Sequence, residues 1–189
     1  MARRTKRSRG GMTLVELMIG TALLVGGGGA LLLGMHYALM HSDYLNDFQI
    51  VMTAVQSRME DIASQPFGTL IDSVGPYAAA QTAAGQCMGL DEDLNCSGQL
   101  DAGEDADGDG VLDEPIPRAR LSVRIEKFPP GSTDPTLATV HVAACWFARG
   151  RIIGEDLNCN GVLDNGEDAN ANGWLDSPAM ASTRVADNQ

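Results

Sequence analysis

Aromatic residues make up only 5% of the 189 residues. A chain so poor in large rings fills no more than a modest core, one domain or one small domain with appendages. Basic residues are scarce beyond the first eleven positions. Arg3, Arg4, Lys6, Arg7 and Arg9 hold five of the 13, leaving eight against 25 acidic ones in the rest of the chain. That deficit excludes a nucleic-acid binder, which needs a basic face to displace counterions from phosphates. It also excludes a folded part held electrostatically on anionic lipid. There are three histidines, His36, His41 and His141, and no nucleophile sits beside a base. No enzyme is expected. The four cysteines lack any CxxC or Cys/His spacing, which leaves zinc without a ligand set.

What is present begins with a long apolar run. Between Glu16 and Asp43 there is no formal charge, and residues 17–40 as a helix at about 1.5 Å per residue cover the roughly 30 Å hydrocarbon core of a bilayer. Basic residues before the run and an acidic remainder after it place the N-terminus in the cytoplasm and the bulk of the chain outside. A secretory signal would have a shorter apolar region followed by a small-residue cleavage site. Here the break signal, Gly10-Gly11, lies in front. Glu16 stands at the membrane end of the helix, where a carboxylate costs on the order of 2.5–3.5 kcal/mol and calls for a positive partner. Cleavage after Gly11 makes Met12 a new α-amine, and that amine on a neighbouring subunit would serve. Four glycines at 26–29 are weak helix formers, which lipid enforces as helix and which loosen outside it.

The basic leader, Gly11, then Met12-Thr13-Leu14-Val15-Glu16-Leu17-Met18 resembles the class III signal of type IV prepilins and type II secretion pseudopilins. The resemblance implies cleavage after Gly11 by a prepilin peptidase, methylation of Met12, and a role for Glu16 in registering the subunit in a filament. Met12 departs from the phenylalanine most common at that position. Residues 56–67, QSRMEDIASQPF, resemble the segment closing the long helix in PilV-type minor pilins. The implied partners are other major and minor pilins and the inner membrane. The implied location is the inner membrane as a single-pass protein with its N-terminus inside, then the periplasm or a surface pilus.

Beyond the apolar run, Leu45, Phe48, Met52, Val55, Met59 and Ile62 recur at helical spacing, and Pro66 and Gly68 stop the pattern. Leu121, Val123 and Ile125 alternate with polar residues as a half-buried strand. Residues 137–147 read as a second strand and 151–153 as the start of a third. The expected fold is α+β: a long N-terminal helix, half transmembrane and half amphipathic, packed on a small antiparallel sheet. The expected divisions are a leader at 1–11, the membrane and assembly half of the helix at 12–40, its amphipathic half at 41–65, and a head at 66–189.

The head carries a repeat with an offset of 63. Residues 92–115 and 155–178 agree at 16 of 24 positions. Each copy contains two adjoining twelve-residue loops with oxygen-bearing residues at alternate positions and Gly at position 6, the pattern of an EF-hand-type calcium loop. The first offers Asp93, Asn95, Ser97, Asp101 and Glu104, and the second Asp105, Asp107, Asp109 and Asp113. The third offers Asp156, Asn158, Asn160, Asp164 and Glu167, and the fourth Asp168, Asn170, Asn172 and Asp176. Position 12 is Ile116 in the second loop and Ala179 in the fourth, so those two sites are weaker or borrow a ligand from the adjoining loop. No flanking helix fits between adjoining loops, and the units resemble dockerin or thrombospondin type 3 calcium repeats, inserted at 91–116 and 154–179. Up to four structural Ca²⁺ sites are expected. Ten carboxylates within 91–114 repel one another unless something neutralises them.

Cys87, Cys96, Cys145 and Cys159 all lie on the oxidising side of the span, where disulfides form. Four cysteines allow three connectivities. Cys96 and Cys159 hold the same repeat position and each has a cysteine upstream, which favours the local pairs 87–96 and 145–159. Three functions follow: a minor pilin that primes, caps or assembles a type IV pilus; a pseudopilin of a type II secretion system; or a membrane-anchored calcium-dependent binding module that is not a pilin.

Overall fold

A computed structural model describes residues 13–187 except 91, 94, 106, 114, 117 and 133. The leader, with Gly11 and Met12, lies outside the described residues.

Helix α1, Leu14–Ser64, runs unbroken through the four glycines. Its first part, up to Asp43, forms a unit of its own by internal contact. That part is apolar and exposed, and α1 is long and apolar enough to cross a membrane. It supports a single membrane-anchoring segment. At its start Glu16 and Thr13 form a reciprocal cap. The carboxylate accepts the Thr13 N–H and hydroxyl at 3.1 Å each, and the Glu16 N–H donates to the hydroxyl at 3.3 Å. Helix α1 ends at Ser64, two residues before Pro66, whose ring disfavours helix in the residue ahead of it.

The second unit starts at Tyr44. Within it, Val51, Val55, Met59 and Ile62 are buried on α1, with Tyr44, Phe48 and Met52 packed beside them. The buried stripe is rotated from the one read in the sequence: Val51 is inside and Leu45 is exposed. The two positions are six apart, more than one and a half turns, so including Val51 turns the contact face toward the strand residues it meets.

A short helix α2 (Phe67–Ile71) follows, and then five antiparallel strands: β1 (Gln86–Gly89), β2 (Arg120–Phe128), β3 (Leu137–Ala148), β4 (Arg151–Ile153) and β5 (Met180–Ala186). The order is β1-β2-β3-β4, with β5 also on β3. β3 is twelve residues long and serves two strands along one edge: β5 pairs with 137–143 and β4 with 146–148. Leu121, Val123 and Ile125 of β2 face inward with Val140, Val142, Ala144 and Trp146 of β3, as the alternation requires. Trp146 is fully buried, its ring 6.4 Å from Tyr44 and 6.3 Å from Phe48, and so it joins sheet and helix.

The three strands expected from alternation are present. β1 and β5 were not anticipated. Each of the two repeats is a connection between strands, one from β1 to β2 and the other from β4 to β5. The disulfides are Cys87–Cys96 and Cys145–Cys159, the favoured pairs. Each ties position 4 of a loop to a strand, β1 in one case and β3 in the other.

Candidate metal centre

The four loops share left-handed backbone at two positions. Position 6 is a glycine with φ between +70° and +82° in every loop: Gly98, Gly110, Gly161 and Gly173. An L side chain there pays a steric penalty, which explains the fixed glycine. Position 4 is also left-handed, at Cys96, Gly108, Cys159 and Ala171.

The oxygens at positions 1, 3 and 5 turn toward the inside of each loop and accept its backbone N–H groups. In the first loop, Asp93 accepts from Ser97 at 2.8 Å and Gly98 at 3.0 Å, and Asn95 accepts from Ser97 at 2.8 Å. In the third, Asp156 accepts from Asn160 at 3.1 Å and Gly161 at 2.7 Å. In the fourth, Asp168 accepts from Asn172 and Gly173. In the second, Asp105 accepts from Gly108 and Gly110, and Asp107 and Asp109 each accept from the N–H two residues on. Across the loop, position 9 meets positions 3 and 5. Asn158 and Asn160 both donate to Asp164, Asn170 and Asn172 both to Asp176, and Asn95 and Ser97 both to Asp101.

The closing carboxylate shows how the loops differ. Glu104, at position 12 of the first loop, accepts the position-9 N–H of Asp101 at 2.9 Å. Glu167 does the same for Asp164 at 2.9 Å. The second and fourth loops have no glutamate at position 12, yet their position-9 N–H groups are met in the same way from elsewhere. Asp113 N–H donates to Glu92 at 2.9 Å, and Asp176 N–H donates to Glu155 at 3.1 Å, each across 21 residues. Glu92 and Glu155 stand one residue ahead of the first and third loops. They fill the closing position of the second and fourth. A ligand oxygen of Glu92 lies within 4.8 Å of those of Asp105 and Asp107, so these three carboxylates can reach one metal ion. Sequence reasoning missed both glutamates because they fall outside the twelve-residue frame. The offset of 63 was the available signal, since both copies begin with the same Glu-Asp pair.

The surroundings set the electrostatics. Asp93 and Asp156, the two position-1 residues of the odd loops, are 1% and 3% exposed. Burial raises the Asp156 carboxyl above its ordinary range, against the lowering effect of the Gly161 and Asn160 N–H groups. Asp93 instead pairs with Arg120 at 3.0 Å. In the fourth loop, Trp174 lies against His141, ring centroids 3.5 Å apart, and under the Arg124 guanidinium at 4.4 Å. Burial, and then the charge of Arg124, hold His141 below its usual range, while Asp176 pulls the other way.

Set against protein-family models, curated proteins and solved structures, the chain matches none. The fold itself, a long helix on a small antiparallel sheet, is consistent with a generic pilin-like α+β architecture. Function therefore has to be argued from the residues.

Proposed function

We propose that the protein is a structural subunit, a minor pilin that primes, caps or assembles a type IV pilus, with a calcium-stabilised head. The observation that carries this reading is the division of α1. Residues 14–43 offer an exposed apolar rod charged only at Glu16 and Asp43, and the remainder of the same helix is the spine of the antiparallel head. A subunit that lives first in a bilayer and then among the rods of its neighbours would use such a helix in both settings. The leader motif ahead of it supplies cleavage after Gly11 and methylation of Met12. Other pilins, the prepilin peptidase and the inner membrane are the corresponding partners.

Calcium fits the loops because the donor set is all oxygen, drawn from carboxylates, amides, a hydroxyl and the backbone, which suits a hard cation. Asp93, Asn95, Ser97, Asp101 and Glu104 would hold one ion, and Asp156, Asn158, Asn160, Asp164 and Glu167 another. The second site is Asp105, Asp107, Asp109 and Asp113 closed by Glu92. The fourth is Asp168, Asn170, Asn172 and Asp176 closed by Glu155. A bound ion neutralises the carboxylate repulsion that the loops otherwise sustain. Near-millimolar extracellular calcium would saturate even modest sites, which favours a structural role over switching.

The Thr13–Glu16 cap favours a second reading. Glu16 has a local partner, as it would in a membrane-anchored calcium module that never enters a filament. The mass of the N-terminal peptide from membrane and sheared-filament fractions decides. A peptide beginning at methylated Met12 is expected, and one beginning at Met1 or Ala2 would establish the anchored module. Glu16→Ala should leave the protein in the membrane and deplete it from filaments. Undiminished incorporation would remove Glu16 from assembly.

A further inference from the structure

The first and third loops begin alike. Asp93 and Asp156 occupy position 1, are equally buried, and accept the N–H groups of positions 5 and 6. Each is followed three residues later by a cysteine tied to the sheet. They differ in their charged neighbour, and Asp156 also has the Cys145 Sγ 3.4 Å from its Oδ2. Arg120, the first residue of β2, places Nη2 3.0 Å from the Asp93 Oδ2, and the pair is shielded, with side chains 12% and 1% exposed. The residue 63 positions beyond Arg120 is Thr183, which is neutral. Asp156 has no ion pair among the described residues. A buried carboxylate needs a positive partner, and the two loops meet that need differently.

We propose that Arg120 is a built-in counter-cation for the first loop, holding Asp93 in place without an ion and competing with calcium for it, so that the third loop is the tighter site and the first the weaker. The proposal rests on the calcium reading given above. Its physical content is an exchange. For calcium to take Asp93, the guanidinium must give up its hold on Oδ2, and that lost pairing is subtracted from the affinity of the first loop. The third loop has no such competitor. The first loop keeps its shape when calcium is scarce, whereas the third depends on the ion.

Calcium titration of the full-length protein in detergent micelles, by calorimetry, tests this. Arg120→Gln should tighten one site by at least about fivefold, at the low end of ordinary coupling between sites, and Arg120→Lys should stay within about twofold of wild type. The gain from Arg120→Gln should vanish in an Asp93→Asn background, because the cycle removes the carboxylate through which the competition is proposed to act. A melt gives the second readout. Arg120→Gln should melt below wild type in EDTA and recover in saturating calcium, as the ion replaces the lost charge. Unchanged affinities in Arg120→Gln, with wild type still binding calcium, would overturn the competition and leave the calcium sites standing. Failure of calcium to recover the Arg120→Gln melt would also overturn it. Wild-type protein that binds no calcium would overturn both the sites and the competition.

Discussion

The second and fourth loops share Asp, Gly, Leu and Asp at positions 1, 6, 8 and 9, and each is closed by a glutamate from 21 residues upstream. At position 7 they part. Val111 is 57% exposed, whereas Trp174 rests between His141 and the Arg124 guanidinium on the sheet. The two loops thus share a hydrogen-bonding pattern and still differ in their attachment to the fold. One is fastened to the sheet by a ring, whereas the residue at the same position of the other is exposed. Ligand pattern and anchoring are separate properties of a repeat, and identity between copies reports on the first more than on the second.

Removing calcium should be the strongest perturbation of that comparison. Each site held at a hundred times its Kd contributes about 2.7 kcal/mol, or on the order of 5–10 °C for a head of this size. Excess EDTA should therefore lower the melting temperature, followed by circular dichroism. In EDTA, limited proteolysis should cut within 105–113 before 168–176, and the reverse order would show that the tryptophan does not anchor its loop. Trp174→Ala comes next, with a loss of about 2 kcal/mol from the tilted ring pair and the cation–π contact, measured by urea denaturation. Glu155→Gln and Glu92→Gln should each weaken one calcium site by at least about tenfold, which is 1.4 kcal/mol, in a calorimetric titration. If neither does, the upstream glutamates are only hydrogen-bond acceptors. Val111→Ala should lie within about 0.5 kcal/mol of wild type, as for most exposed substitutions.

Much of this arrangement was legible in the sequence. Leu121, Val123 and Ile125 were readable as a strand because large apolar residues alternate there. The amphipathic half of α1 was readable because its apolar positions follow the helical period. β5 was not: Ala181, Ser182 and Thr183 carry little hydrophobic contrast, so its alternation shows only once it lies beside β3. β1, at four residues, is too short for any period. The disulfide pairs followed from repeat position. The ligand loops were visible as motifs, but their closure was not, because Glu92 and Glu155 act across the boundary between one loop and the next. Arg120 and Trp174 gave no local sign of their roles, since a partner 27 or 33 residues away in the chain is set by the sheet register and not by spacing.

The pairing of Gly89 with Arg120 makes the whole first repeat the loop of a single β-hairpin, residues 90–119. By chain statistics, closing about 30 residues instead of four costs only about 2 kcal/mol more, because the entropy of closure grows with the logarithm of length. The register of β1 on β2 is therefore nearly indifferent to how much chain hangs from it. On closure cost alone, a hairpin of this kind can take in or lose an entire repeat while the pairing of its two strands stays as it is.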